Sequence, residues 1–173
     1  MSNVSDIYTK GYVKFYEPNG LDLIKIDDHR LLNTEERARD NGKEDIDTLL
    51  ANKLNLFGQH LHTNYILPEW PDAVFNKYLV WDGVDKDNQG WHTDMFEDYD
   101  VFFLYYLDHT YTESGGAINF KWDGDCVESY QPIAGDLCMI SNQRGFWHKA
   151  DDTKIKRRVV SLALSSGRTD KKR

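Results

Sequence analysis

Short stretches of alternating apolar and polar residues recur along this chain and predict β-strands, because successive side chains of a strand point to opposite faces. Two such stretches lie near the N-terminus, at residues 10–16 and 21–26. The others follow Pro71 and are separated by turn-forming residues such as Asp82-Gly83. These later strands are predicted at 75–82, 99–107, 116–122, 126–130, 136–141 and 157–165. Many short strands at regular spacing favour a jelly roll or a barrel.

Residues 34–57 follow a helical pattern instead. Thr34 is a suitable N-cap, and Asn41-Gly42 predicts a break that divides the segment into two helices. The apolar residues of the second part recur at helical spacing and should pack one helix face against a sheet. They are Leu49, Leu50, Leu54 and Phe57.

The chain has 173 residues, of which 40% are apolar and 13% aromatic, so it is large enough for one domain with a packed core. We predict a mainly β domain with N-terminal helices (α+β). Residues 1–74 would form N-terminal strands and supporting helices, and residues 75–165 a jelly-roll core. Residues 166–173 would form a basic tail.

The formal net charge of −8 argues against nucleic-acid binding, which depends on clustered Lys and Arg side chains. No stretch approaches the roughly 18 consecutive apolar residues of a membrane-spanning helix. The N-terminus lacks the basic and then apolar pattern of a signal peptide. We therefore expect a cytoplasmic protein without membrane or nucleic-acid partners. In that compartment Cys126 and Cys138 should remain reduced, although a hairpin around Pro132 could bring them close.

His92 and Asp94 are the first candidates for chemistry. On a strand both side chains point to one side while Thr93 points away, so an imidazole and a carboxylate can face one metal ion. His148, far downstream, can supply a second imidazole. Two histidines and one carboxylate form the facial triad that holds Fe(II) and leaves coordination positions open. The remaining histidines are expected in structural or solvated positions: His29, His60, His62 and His109.

Five motifs occur in a fixed order along the second half of the chain. They are Trp91-His92-Thr93-Asp94, Leu104-Tyr105-Tyr106-Leu107-Asp108, Ser114-Gly115-Gly116-Ala117-Ile118-Asn119-Phe120, Pro132-Ile133-Ala134-Gly135-Asp136-Leu137, and Trp147-His148 with a basic residue nine or ten positions later. Together they resemble the 2-oxoglutarate- and Fe(II)-dependent oxygenases, in particular the prolyl-hydroxylase-like branch. Each motif alone is common, but their order is specific.

The resemblance implies a double-stranded β-helix core and an enzyme that hydroxylates a C–H bond. His92, Asp94 and His148 would be the ligands of Fe(II). The cosubstrate 2-oxoglutarate would occupy two further positions on the metal and O₂ the third, and 2-oxoglutarate would be converted to succinate and CO₂. Ascorbate is a candidate accessory cofactor for such an enzyme.

The distal carboxylate of 2-oxoglutarate needs a buried cation, and arginine offers a bidentate partner. Arg157 and Arg158 should point to opposite sides of a strand. Arg158 shares its side with Val160 and the following bulkier apolar residues, so we predict that Arg158 meets the core and binds the carboxylate. Its spacing of ten after His148 resembles the collagen prolyl hydroxylases, where a lysine has this role, whereas the spacing of nine in the hypoxia-factor prolyl hydroxylases would select Arg157. Tyr105 resembles the family's tyrosine that donates its hydroxyl group to the same carboxylate.

The resemblance favours a prolyl residue in a peptide or protein as the substrate, and a free amino acid or another small metabolite is the alternative. A non-catalytic metal-binding jelly-roll module is an alternative of another class, but a structural metal site is normally closed by a fourth protein ligand. A cupin-type oxygenase that needs no 2-oxoglutarate is the third interpretation. It would have no use for Arg158.

Overall fold

The computed structural model describes residues 3–24, 48–65, 74–81, 90–93, 101–155 and 157–165. Strands account for most of the regular structure in these ranges. The strands are β1 (Tyr12–Tyr16), β2 (Val74–Trp81), β3 (Val101–Tyr106), β4 (Ile118–Trp122), β5 (Glu128–Tyr130), β6 (Asp136–Ser141), β7 (Phe146–Ala150) and β8 (Val159–Ser165). The helices are α1 (Ile7–Lys10), α2 (Asn19–Leu23) and α3 (Thr48–Tyr65), with short 3₁₀ turns at Val4–Asp6 and Thr112–Ser114.

The strands form two antiparallel sheets. The larger sheet has the order β1-β6-β3-β8-β2, and the smaller sheet has the order β5-β4-β7. His92 extends the smaller sheet at its β7 edge through an isolated antiparallel bridge to His148. This mostly antiparallel arrangement is consistent with a jelly-roll oxygenase fold, and it confirms the prediction of a mainly β protein with a few N-terminal helices.

Two separate hydrophobic layers cover the faces of the larger sheet. The outer layer joins this sheet to the helices, and Leu54, Phe57 and Leu61 of α3 are at most 1% exposed there. The inner layer lies between the two sheets, where Cys138 of β6 packs with Phe120 of β4. Each fully buried large apolar side chain contributes about 1.5–3 kcal/mol, so both layers stabilise the fold substantially.

The alternation of strand β3 shows how one strand serves both layers. Phe103 and Tyr105 belong to the outer layer, whereas Phe102, Leu104 and Tyr106 belong to the inner one. The same alternation in β6 and β8 divides their side chains between the layers. Consecutive residues on these strands therefore have different surroundings.

Most predicted strands agree with the structure, but the segment 21–26 does not. Its first part lies in helix α2, because Leu21 and Ile24, three residues apart, both face the outer layer. The prediction of a strand here is wrong, and residues 25 and 26 lie outside the described ranges. The predicted helix 34–57 agrees with α3 over residues 48–57, and residues 34–47, with the predicted break at Asn41-Gly42, lie outside the described residues.

Cys126 is exposed and Cys138 is buried, and both are free thiols, as expected for a reduced protein. No helix in the described part of the chain is long and apolar enough to span a lipid bilayer. The predicted basic tail, 166–173, lies outside the described residues. Strand β1, from the predicted N-terminal part, pairs along its whole length with β6 of the predicted core.

Candidate active site

His92 and His148 lie side by side although they are far apart in the sequence. The His92 backbone N–H donates to the His148 carbonyl at 3.1 Å, and the His148 N–H donates to the His92 carbonyl at 3.0 Å. Their ring centroids are 4.2 Å apart. This reciprocal pair of backbone bonds joins the two residues, and their imidazoles lie side by side, as a shared metal ion would require.

The imidazole of His92 is oriented by its own loop. Its Nδ1 atom lies 2.8 Å from the Gly90 carbonyl oxygen, which accepts a hydrogen bond only if Nδ1 carries the proton. In that tautomer Nε2 presents its lone pair for coordination. A histidine that donates one ring N–H to a backbone carbonyl and offers the other nitrogen is the usual arrangement of a metal ligand.

The His148 ring faces the inner layer. His148 is paired with Phe120 across β4 and β7, and its ring centroid lies 6.2 Å from that of Phe102. Burial, together with the nearby His92, lowers the pKa of His148 to about 3. The imidazole is therefore neutral at physiological pH, which is the form that coordinates metals.

Asp94, the predicted carboxylate ligand, lies outside the described residues. The structure thus brings together two of the three predicted ligands, and the complete triad stays a prediction. Within the described ranges, no three His, Cys, Asp or Glu residues are grouped closely enough to hold a metal ion.

The two adjacent arginines have different partners. Arg158 forms a bidentate ion pair with Asp108, with distances of 2.9 Å from Nε to Oδ2 and 2.7 Å from Nη2 to Oδ1. Arg157 instead donates through Nη1 to the Gly116 carbonyl at 2.9 Å and to the Asp151 carbonyl at 3.3 Å. The Nε of Arg157 is shielded from solvent and has no hydrogen-bond partner in the described part of the chain. Arg157 is therefore the one with unused, buried hydrogen-bonding capacity.

The partners of the two arginines favour Arg157 rather than Arg158, which was chosen from the sequence, and the assignment stays a proposal. The bulkier side of β8, with Val160 and Leu162, packs in the outer layer against the helices, whereas Val159 faces the inner layer. The bulkier side is buried as predicted, but in the outer layer, which lies on the opposite face of the sheet from His148. Arg157, which shares the side of Val159, lies on the side of the inner layer.

The structure also separates Tyr105 from the histidines. Its hydroxyl donates to the Glu17 carbonyl at 2.7 Å, and its ring packs on Phe57 in the outer layer. The neighbouring Tyr106 is 2% exposed and belongs to the inner layer. Burial raises the pKa of Tyr106 above its usual value, while the positive charge of Arg157 acts in the opposite direction. Tyr106 rather than Tyr105 is thus the phenol that faces the inner layer and feels the charge of Arg157.

Two further inner-layer residues, Tyr130 and Cys138, were not predicted from the sequence to lie near the site. The Tyr130 hydroxyl is shielded from solvent and forms no hydrogen bond of ordinary geometry to any described residue. It lies close enough to the Tyr106 phenol and the Cys138 thiol to influence the pKa of each. Burial raises the pKa of Cys138 to about 12, so its thiol stays protonated. The alternation of β6 predicts one side for Cys138, but only the packing of the sheets shows that this side faces Tyr130.

Solved structures of oxygenases resemble this chain over nearly its whole length. An oxidoreductase of the 2OG-Fe(II) oxygenase family from Burkholderia pseudomallei is 14% identical, with a TM-score of 0.66, and the match covers 94% of this chain and 89% of that one. A Trichoplax adhaerens prolyl hydroxylase, in complex with a hypoxia inducible factor peptide fragment, is 13% identical, with a TM-score of 0.54 and coverage of 94% and 87%. The non-heme alpha-ketoglutarate-dependent epimerase SnoN from nogalamycin biosynthesis is 12% identical, with a TM-score of 0.55 and coverage of 96% and 85%.

The chain has the fold of the 2-oxoglutarate- and Fe(II)-dependent oxygenases. The resemblance seen in the five sequence motifs is therefore confirmed at the level of the fold, and prolyl hydroxylases are among the structures that share it. No family model and no curated protein sequence matches the chain. Because the oxygenase fold supports both a prolyl hydroxylase and an epimerase, the fold alone does not specify the reaction.

Proposed function

We propose that this protein is an Fe(II)- and 2-oxoglutarate-dependent dioxygenase that hydroxylates a C–H bond. The observation that carries the proposal is the fixed pair of His92 and His148, whose imidazoles meet at the edge of the inner layer of an oxygenase fold. We take the two sheets to be the double-stranded β-helix of these enzymes, within a single catalytic domain.

The donor set fits Fe(II). His148 is neutral, His92 has a tautomer that offers Nε2, and Asp94 would complete a facial triad with a carboxylate oxygen. Imidazole and carboxylate ligands on one face leave positions for a cosubstrate and O₂. The bound iron would supply the oxidative chemistry, and the chain's own residues would orient the reactants and exclude water.

The inner layer also fits 2-oxoglutarate. A buried guanidinium nitrogen without a partner is costly, and a carboxylate ligand would satisfy the Nε of Arg157. The hydroxyl of the neighbouring Tyr106 would donate a hydrogen bond to the same carboxylate. In this assignment Arg158 has a structural role, because Asp108 already occupies its bidentate face.

A prolyl residue in a peptide or protein is the substrate we propose first. The order of the sequence motifs supports it, and so does the shared fold with a prolyl hydroxylase that was solved with a peptide fragment. A free amino acid or another small metabolite is the second candidate, favoured by the shared fold with SnoN, an epimerase from nogalamycin biosynthesis.

Formation of succinate from 2-oxoglutarate tests the proposed class without knowledge of the substrate. The full chain is supplied anaerobically with Fe(II) and 2-oxoglutarate and then exposed to air. We expect slow, iron-dependent formation of succinate. The rate should fall at least a hundredfold in His92→Ala, because this variant lacks one of the proposed iron ligands. His62→Ala, which removes an exposed histidine of α3, is the matched control and should retain the activity.

Arg157→Ala should raise the concentration of 2-oxoglutarate needed for half-maximal succinate formation, whereas Arg158→Ala should not in protein that remains folded. Iron binding without succinate formation or 2-oxoglutarate binding would instead indicate a non-catalytic metal-binding module. Iron-dependent oxygen consumption that requires no 2-oxoglutarate would indicate a cupin-type oxygenase.

A further inference from the structure

We infer that the Tyr130 hydroxyl is an additional donor to the distal carboxylate of 2-oxoglutarate, beside Tyr106 and Arg157, and thereby selects dicarboxylate over monocarboxylate 2-oxo acids. This inference rests on the proposed function and deepens it. Tyr130 lies on β5, outside the motifs that carry the family resemblance.

The first observation is the unused hydrogen-bonding capacity of Tyr130. Its hydroxyl is shielded from solvent and forms no hydrogen bond of ordinary geometry to a described residue, although it interacts with the Tyr106 phenol and the Cys138 thiol. A buried hydroxyl without a partner costs about 1–3 kcal/mol, so such groups normally meet a ligand or an ordered water molecule. The Nε of Arg157 is also shielded from solvent and forms no hydrogen bond to a described residue.

The second observation is that the Tyr130 ring is held in place. It stacks on Phe120 with ring centroids 6.2 Å apart and an interplanar angle of 25°. The Lys14 ammonium lies 4.6 Å from the centre of the Tyr130 ring. A ring fixed in this way presents its hydroxyl at a defined position, which lowers the entropy cost of binding.

The third observation is the position of the hydroxyl. It lies near the Tyr106 phenol and the Cys138 thiol, and the charge of Arg157 acts on the same Tyr106 phenol. A carboxylate has two oxygens with about four acceptor sites, so it can accept from one guanidinium and two phenols together. Cys138 is protonated and neutral, so it would not repel the ligand.

Tyr130→Phe removes the hydroxyl and keeps the ring that packs on Phe120. The matched control is Tyr12→Phe, because Tyr12 also stacks on Phe120, at 4.1 Å, but its hydroxyl donates to Glu128 at 2.6 Å. Binding of 2-oxoglutarate and of 2-oxopentanoate, which has the same carbon chain without the distal carboxylate, is measured by calorimetry. The full chain is loaded anaerobically with Fe(II), and thermal unfolding verifies that each variant is folded.

We expect Tyr130→Phe to weaken 2-oxoglutarate binding about tenfold, as loss of one hydrogen bond to a charged group would. Binding of 2-oxopentanoate should change less than about twofold, because the lost partner is absent from that ligand. Tyr12→Phe should bind both ligands like the native chain.

Equal binding of 2-oxoglutarate by Tyr130→Phe and the native chain would overturn this inference and leave the proposed function intact. Equal weakening of both ligands would also overturn it, since the hydroxyl would then act on the pocket rather than on the carboxylate. Failure of the native chain to bind 2-oxoglutarate would overturn the proposed function itself, and this inference with it.

Discussion

In the function proposed here, two pairs of neighbouring residues decide which side chains meet the cosubstrate. On β3, Tyr106 faces the inner layer and Tyr105 faces the outer one. Of the two arginines, Arg157 lies on the inner-layer side, whereas Arg158 pairs with Asp108. A strand reverses the direction of its side chain at every residue, so a change of one position exchanges a structural role for a ligand-binding one.

The ion pair between Asp108 and Arg158 should stabilise the fold without affecting cosubstrate binding. Asp108 accepts two side-chain bonds from Arg158, and its Oδ2 also accepts the Arg158 backbone N–H at 2.7 Å. Asp108→Asn replaces one acceptor by a donor that faces the guanidinium. Because the two side chains are 20% and 23% exposed, we expect a loss of roughly 1–3 kcal/mol in the free energy of unfolding.

Urea denaturation measures this loss, and calorimetry with 2-oxoglutarate provides the second readout. Affinity for 2-oxoglutarate should stay within about twofold of the native value, since Asp108 lies outside the proposed pocket. A tenfold loss of affinity in the folded variant would restore Arg158 as the carboxylate ligand.

The convergence of His92 and His148 could be predicted from the sequence, whereas the choice within each neighbouring pair could not. The order of the sequence motifs was sufficient to pair the two histidines. On β3 and β8 both sides of the strand are apolar and at least partly buried, so no polar side marks the direction of solvent. Which side faces the candidate site depends on the packing of helix α3 and the smaller sheet, and a single strand's sequence does not contain that information.

At the scale of the elements, Glu17 connects helix α3 to the larger sheet. Its carboxylate accepts from the Tyr65 hydroxyl at 2.7 Å and lies 3.2 Å from Nε2 of His60. Its backbone carbonyl accepts from Tyr105 of β3, and its side chain accepts from the Asn19 backbone N–H. One residue between β1 and α2 thus joins elements from three parts of the chain.

Glu17 should make the stability of the protein depend on pH. Burial alone would raise the pKa of Glu17, but hydrogen bonds from Tyr65 and His60 outweigh burial and hold this pKa below its usual value of 4.5. The folded state therefore favours the ionised carboxylate, and its contribution is present above pH 4.5 and lost as pH falls through the lower folded-state pKa.

Glu17→Gln should cost about 1–3 kcal/mol at neutral pH, because the charge-assisted bonds are lost. Below pH 4.5 the difference from the native chain should shrink, and thermal unfolding at several pH values measures it. A difference that stays constant down to pH 3 would show that the charge of Glu17 contributes nothing.

Gly11 should tolerate no side chain. Its φ is +79°, and a Cβ atom built there would lie 2.3 Å from the ring of Phe146 on β7. We expect Gly11→Ala to lower the free energy of unfolding by about 2–4 kcal/mol, from backbone strain together with overlap in the core. Gly124→Ala is the matched control, since Gly124 has the same φ but nothing lies within 4 Å of its Cβ position.

The strain common to both glycines should cost about 1 kcal/mol. The excess in Gly11→Ala therefore measures the contact with Phe146. Equal effects of the two substitutions in urea denaturation would show that the ring moves aside freely.

The elements themselves were largely predictable where turns bounded them. Helix α3 extends beyond the predicted end at Phe57 because Leu61 and Tyr65 continue its apolar face, while the polar residues between them are exposed or partly exposed. Segment 21–26 was misassigned because six residues with alternating apolar positions also satisfy a helical spacing of three, as Leu21 and Ile24 do. Short segments do not distinguish these periods.

At the scale of the whole molecule, the larger sheet separates a supporting layer from a layer that can hold a ligand. The supporting layer contains α3. The inner layer faces His148 and the buried polar atoms of Arg157 and Tyr130, which form no ordinary hydrogen bond to a described residue. His92 is joined to the smaller sheet by two backbone bonds, and Trp91 beside it lies within 4.6 Å of the Lys121 ammonium. A metal ion held by both histidines would add a further link between segments distant in sequence.

Metal binding should therefore raise the thermal stability of the molecule. An ion that binds only the folded chain stabilises it by about 2.7 kcal/mol at a concentration of one hundred times its Kd, which corresponds to a rise in Tm of roughly 5–10 °C for a chain of this size. Thermal unfolding is measured with Fe(II) under anaerobic conditions and again after addition of a chelator, which should reverse the rise. Each variant is compared with its own metal-free form, so that any intrinsic loss of stability cancels. His148→Ala should abolish the rise and His62→Ala should keep it; an equal rise in both variants would mean that the metal binds elsewhere and that the two paired histidines are not its ligands.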